Sequence, residues 1–197
     1  MKLFLRVAII LLPLSTLLLA QNTQLKYKII QGSDTIGWMQ LDKTVLDNKL
    51  DMSLISEIKT QAIFDIKVYS KELSMYENGK LLYSSQFRKT NGNIKVDKQT
   101  RFVTNKYIIA ENGKTKDLAI ASITTNLLSL YFNEPVGITT VFCDNHECFV
   151  NLTKTADGGY KVKFPNGDNN CYYYSAGICN KIKISHTFYS AQIILTR

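Results

Sequence analysis

Polar and apolar residues alternate with a period of two along most of the chain beyond residue 20. Leu50, Met52 and Leu54 share one phase while Asp51 and Ser53 share the other. Phe64, Ile66 and Val68 alternate with Asp65 and Lys67, and Leu81, Tyr83 and Phe87 stand against Gln86 and Arg88. The same rhythm returns in Tyr160, Val162 and Phe164 against Lys161 and Lys163, and in Ile182, Ile184 and Phe188 against Lys181, Lys183 and Thr187. One buried and one wet face per strand is the habit of antiparallel sheets. Five of the ten glycines follow Asn or Asp, at Asn78-Gly79, Asn91-Gly92, Asn112-Gly113, Asp157-Gly158 and Asn166-Gly167. These dipeptides favour type I′ hairpin turns, whose two central residues need positive φ. The pattern predicts an all-β fold, a single antiparallel β-barrel or strongly curved sheet of about 10–12 strands. Ile120 to Phe132 departs from it, with apolar residues at helical spacing. Its later part, near 124–131, is expected to form one short helix that plugs or covers an opening in the sheet.

The first twenty residues follow a different logic. Lys2 and Arg6 precede an apolar run from Val7 to Leu19, and Ala20 comes before the polar Gln21-Asn22-Thr23-Gln24. A basic start, a short apolar stretch and a small residue at the junction describe a secretory signal peptide. A membrane span needs about 20 apolar residues, and this run is shorter and holds Pro13. The expected organisation is a signal peptide over 1–20, cleaved near Ala20, and one exported domain over 21–197, periplasmic or secreted. No later stretch is apolar enough for a membrane helix, so the mature chain is not expected to span a bilayer.

With 197 residues, 45% of them hydrophobic and 20% charged, the chain is long enough for one domain with its own core. The net charge of +8 falls to +6 (8 − 2) without Lys2 and Arg6. The excess is dispersed, with Lys161, Lys163, Lys181 and Lys183 on the polar sides of two strands. Such a stripe suits solubility and edge protection, or an anionic surface. Nucleic acid is not expected as a partner of an exported chain.

The segments Glu77–Asn91 (ENGKLLYSSQFRKTN), Tyr131–Pro135 (YFNEP) and Phe164–Asn170 (FPNGDNN) resemble a family of exported Bacteroidota proteins whose domain has no assigned function. The Ile36-Gly37-Trp38 start and the Ile184–Phe188 end (ISHTF) are similar too. The resemblance implies a secreted or periplasmic β-rich domain and supplies no activity, cofactor or catalytic residue.

Cys143 and Cys148 bracket a polar tip, and Cys171 and Cys179 bracket a second turn. In an exported chain an even cysteine count points to disulfides, here Cys143–Cys148 and Cys171–Cys179. The alternative is a metal centre built with His146 or His186, but the C-x2-C spacing of structural zinc sites is absent. No metal or cofactor is expected, and the chain lacks a nucleophile elbow or an H-E-x-x-H motif. Gly32 and Gly37 have the spacing of a phosphate loop, but Trp38 and Met39 replace the residues such a loop needs.

His186 is in phase with Ile182 and Ile184, so it points to the apolar face as a core histidine or as a group inside a cavity. Tyr172 and Tyr174 share a face opposite Tyr173 and could stack on a ligand with Trp38, or simply pack the sheet. Arg88, Asn91 and Glu134 are polar residues of the family-like segments, suited either to an ion pair closing the sheet or to a ligand mouth. The candidate ligand-binding set is therefore Trp38, Arg88, Asn91, Glu134, Tyr172, Tyr174 and His186. The leading expectation is non-enzymatic binding of a lipid or other apolar or amphipathic ligand, or of an envelope protein. The alternatives are an interaction module acting through its outer surface, and a hydrolase-like enzyme using His186 with Glu134.

Overall fold

In the computed structural model, residues 20–60, 65–187 and 189–196 are described. The expected signal segment lies almost wholly outside them, as do Phe64 and Phe188. No helix among the described residues is long and apolar enough to cross a membrane.

The described chain forms fourteen strands and almost no helix. The first eight are β1 (Gln21–Gln31), β2 (Asp34–Leu46), β3 (Lys49–Thr60), β4 (Ile66–Glu77), β5 (Lys80–Thr90), β6 (Asn93–Val103), β7 (Lys106–Glu111) and β8 (Lys114–Leu118). A short 3-10 helix (Leu127–Tyr131) leads to β9 (Thr140–Cys143), β10 (Cys148–Lys154), β11 (Tyr160–Lys163), β12 (Asn169–Ser175), β13 (Ile178–Ser185) and β14 (Ser190–Leu195). All belong to one sheet in the order β8-β7-β6-β5-β4-β3-β2-β1-β14-β13-β12-β11-β10-β9. Each strand pairs antiparallel with its sequence neighbour, except that β1 pairs with β14 where the two halves join, and the edge strands β8 and β9 do not pair with each other. The expected barrel is thus an unclosed, barrel-like sheet. It has more strands than expected, since turns such as Thr104-Asn105 lack the Asn-Gly signature.

The gap between the edges is filled by chain and side chains. Ile123 accepts a hydrogen bond at its carbonyl from the Leu81 N–H, and the Tyr107 hydroxyl joins the same pair by donating to the Leu81 carbonyl. Asn126 forms an isolated parallel bridge with Phe142 of β9. The expected helix near 124–131 is a 3-10 turn over Leu127–Tyr131, because Asn126, extended itself, caps the turn and fixes its start. Its Leu128 and Leu130 are buried, so it is a plug in the core and not an outer cover. Around it pack Tyr27, Leu41, Met52, Leu81, Tyr107, Phe132, Phe142 and Ile182, none of them more than 2% exposed.

Two ionic and polar clusters then pin the β9–β10 turn onto the first half. Lys98 on β6, only 6% exposed, meets Glu147 at 2.7 Å and Glu111 at 3.6 Å, and Lys116 of β8 also reaches Glu147. Asp144 accepts from Ser84 of β5 at 2.5 Å and from Asn126 at 3.1 Å, and Asn126 donates onward to Ser74 of β4.

One sequence expectation is reversed. Tyr83 and Phe87 do not share the interior with Leu81. A bulge where Tyr76 and Leu81 pair, but Met75 pairs with Tyr83, inserts Leu82 and flips the phase of β5. Ser84, Gln86 and Arg88 therefore point inward, and Tyr83 and Phe87 sit outside beneath Arg101 and Lys89. The interior of β4–β6 is accordingly polar: Ser70, Glu72 and Ser74 on β4 face Arg88, Gln86 and Ser84 on β5.

Candidate functional site

That polar wall borders a cavity of about 410 Å³ between the inner faces of β3–β6 and the ends of β9–β13. Its deep side is apolar, with Leu54, Leu128, Tyr131 and Tyr172. The 3-10 turn supplies Leu128 and Tyr131, and the Tyr131 ring meets Tyr172 edge-on at 6.2 Å. The other walls are formed by Glu72, Gln86 and Arg88, by Cys143–His146, and by residues of the β11–β12 and β13–β14 loops.

Glu72 stands directly opposite Gln86. Burial and the nearby Asp144 push its carboxyl up to about 7, while the Gln86 amide and Arg88 pull the other way. Burial likewise raises Asp144, against the hydrogen bonds from Ser84 and Asn126. The Gln86 Oε1 is buried without a partner among the described residues.

At the rim the FPNGDNN segment meets His186 and Thr187. Asp168 accepts from the Thr187 N–H at 2.9 Å and from its hydroxyl at 3.1 Å, and these bonds hold its carboxyl below the ordinary range. His186 places Nδ1 3.5 Å from Asp168 and Nε2 3.3 Å from the Asn170 side-chain oxygen. Its ring lies 4.7 Å from Tyr189 and 6.3 Å from Phe164, and His146 covers Phe164 at 5.8 Å.

Of the candidate set, Arg88, Tyr172 and His186 converge on this cavity. The other four lie elsewhere. Trp38 is 45% exposed on the outer face, opposite Lys28 and Glu57. Asn91 is a turn anchor that accepts from the Lys67 N–H and donates to the Asp65 carbonyl. Tyr174 donates to the Leu130 carbonyl. Glu134 accepts from the Tyr160 hydroxyl at 2.9 Å. The suggested pairing of His186 with Glu134 is not made, since the imidazole is engaged by Asp168 and Asn170 and Glu134 lines no part of the cavity. Sequence reasoning missed Glu72, Gln86, Asp144 and Asp168. The available signal was polar residues on both phases of β4 and β5.

All four thiols are free. Cys143 faces Cys148 across β9–β10. The expected Cys171–Cys179 bridge is not supported by the register. Cys171 stands opposite Lys161 and Lys183, next to inward-facing Tyr172 and hence on the outer side, whereas Cys179 stands opposite Tyr174 and is wholly buried in the core. On the same outer side, Lys181 and Lys183 flank the Tyr173 ring at 4.6 and 5.0 Å, so the lysine stripe is continuous through β11–β13.

No curated protein matches the chain. Among solved structures it is similar to a crystal structure described as a beta-barrel-like protein of domain of unknown function DUF1849 from Brucella abortus. The TM-score is 0.58 at 10% identity, over 88% of this chain and 95% of that one. At that identity the likeness concerns fold alone. The sequence profile of the domain of unknown function DUF6134 matches residues 27–196, which spans the whole cavity wall, and the chain belongs to that family.

Proposed function

We propose that the chain is an exported, non-enzymatic binding protein that holds a small amphipathic ligand in this cavity. The observation that carries the reading is the cavity itself. Its volume of about 410 Å³ falls in the range of small-molecule sites, and it joins an aromatic and aliphatic floor to a few convergent polar groups. Arg88, Tyr131, Asp168, Asn170 and His186, remote in sequence, contribute to one wall system. Export rests on the N-terminal pattern of charge and hydropathy.

A nucleophilic mechanism is disfavoured by the one thiol in the cavity. Burial pushes Cys143 up to about 11, opposite to what an attacking thiolate needs. The Asp168–His186 pair then serves to fix the rim.

The test uses N-phenyl-1-naphthylamine, a neutral amphipathic dye whose emission rises in apolar surroundings. The expected result is saturable enhancement at one dye per chain, lost when Val96→Trp fills the β6 side of the cavity and retained in Trp38→Ala on the outer face. Undiminished binding in Val96→Trp would remove the cavity as the site.

A further inference from the structure

The chemistry of the cavity wall specifies the ligand's polar end. We propose that the cavity selects ligands whose head group is a protonated amine, seated between Glu72, Asp144 and the side-chain oxygen of Gln86, with the apolar body against Leu54, Leu128, Tyr131 and Tyr172. This rests on the binding role proposed above and names the ligand class for it.

Three observations converge. First, the polar groups of the proposed seat offer acceptors. Glu72 presents its carboxyl, Asp144 presents oxygens that each take one protein donor and have room for another, and Gln86 Oε1 is a buried acceptor with nothing bonded to it. A buried acceptor left unbonded is costly, so a donor arriving there is favoured. A carboxylate or phosphate head would bring only more acceptors.

Second, neither Glu72 nor Asp144 has a salt-bridge partner within 4.0 Å among the described residues. The nearest cations are otherwise placed. Lys98 is committed to Glu147, Glu111 and the Asn145 carbonyl. Arg88 lies one pleat outward from Gln86 and is solvent-exposed, so its field on Glu72 is screened. The two carboxyls repel each other through the cavity, and a bound ammonium supplies the missing counter-charge. Third, the rings of Tyr131 and Tyr172 border the same space. Their faces and edges suit the apolar stem of an amine, and a ring face attracts its charge.

Glu72 also gives the reading a pH signature. The groups that face it are Asp144 from the β9–β10 turn, Gln86 and Arg88 from β5, Tyr131 from the 3-10 turn and Tyr172 from β12. Of these, the tyrosines are held far above the neutral range by burial, which leaves the Glu72–Asp144 pair; His146 and His186 also line the cavity, so the assignment to the carboxyls rests on the Glu72→Gln variant. The anionic form of that pair is the one that welcomes an ammonium.

The experiment is dye displacement from the full mature chain by three matched probes: 2-phenylethylamine, 2-phenylethanol and 3-phenylpropanoate. The amine is expected to displace about tenfold more strongly than the alcohol at pH 8, the size of one charge-assisted hydrogen bond. The advantage should shrink at pH 6, while the alcohol is unaffected by pH. Glu72→Gln, which keeps shape and removes charge, should reduce the amine to the level of the alcohol while the dye still binds. If Glu72→Gln does not fold, Asp144→Asn, which neutralises the other carboxyl of the seat, takes its place with the same expected loss of the amine's advantage. Equal or stronger displacement by the alcohol or the carboxylate, or a pH-independent amine advantage, overturns the inference and leaves the binding role standing. Dye binding that survives Val96→Trp strikes the binding role instead.

Discussion

Thr104 and Asn105 turn β6 into β7 with φ of 48° and 66°, the geometry that Asn-Gly supplies elsewhere. Asn78-Gly79, Asn91-Gly92 and Asn112-Gly113 adopt it as their composition predicts, because Asn and Gly tolerate positive φ. At Asp157-Gly158 and Asn166-Gly167 only the glycine does so, and those dipeptides sit in longer loops closed by Thr155–Gly159 and Phe164–Asp168 hydrogen bonds. The Thr104-Asn105 turn was illegible because a β-branched residue is unfavourable in that region. Its strain makes a prediction. Thr104→Asn should stabilise the chain by about 1 kcal/mol, raising Tm by about 2–4 °C in a thermal melt. An unchanged or lower Tm would mean that Thr104 is held there by contacts worth more than the strain. Gly37 was legible as a motif residue but not in its reason: a Cβ there would run into the Glu57 carbonyl of β3, so the strands need glycine to approach.

Among elements, single-phase strands were easy to read and the bulged ones were not. Tyr160, Val162 and Phe164 on and just after β11 and Ile182 on β13 are buried as the alternation demands. On β5 one inserted residue exchanges the faces; polar residues on both phases of β4 and β5 hint at it, but Tyr83 and Phe87 look like core and Gln86 and Arg88 like surface. The cavity wall was missed for that reason. The β9–β10 hairpin carries the element-scale prediction. Cys143 and Cys148 are facing partners, whereas Cys171 and Cys179 lie on opposite sides of the sheet. Air oxidation of the folded chain should therefore form one bridge, Cys143–Cys148, with dioxygen as the oxidant. Burial holds the Cys179 thiol up at about 12, which keeps it unreactive until the chain unfolds. Peptide mapping after alkylation in denaturant should find one disulfide and two alkylated thiols. A mapped Cys171–Cys179 bridge would contradict the register of β12 and β13.

At the scale of the whole molecule, the all-β class and the short central helical turn follow from the alternation and its one interruption. The closure does not. Pairing of β1 with β14 joins residues at opposite ends of the sequence, and the β8–β9 gap is bridged by Lys98–Glu147 and Ser84–Asp144–Asn126 contacts between elements far apart in the chain. Those contacts hold carboxyl groups inside, and Glu72 makes the cost measurable. Its folded-state value of about 7 exceeds its ordinary 4.5, so across that window the folded chain holds a proton that the unfolded chain has released. Stability contributed by protonated Glu72 is complete below about 4.5 and falls as pH rises through about 7. The amide that Glu72→Gln introduces is neutral at every pH and resembles the protonated acid. The variant and the parent should thus unfold alike at pH 4. By pH 8 the variant should be the more stable, by on the order of 2 kcal/mol after allowance for its partial exposure to the cavity. Taking the difference between the two proteins cancels the opposite trend of Asp168, whose carboxyl is held low and whose stabilisation fades as pH falls. Urea titrations at four pH values between 4 and 8 measure the gap. A gap that stays flat would show Glu72 solvated as an ordinary carboxylate, and the polar wall as a surface open to water instead of a binding interior.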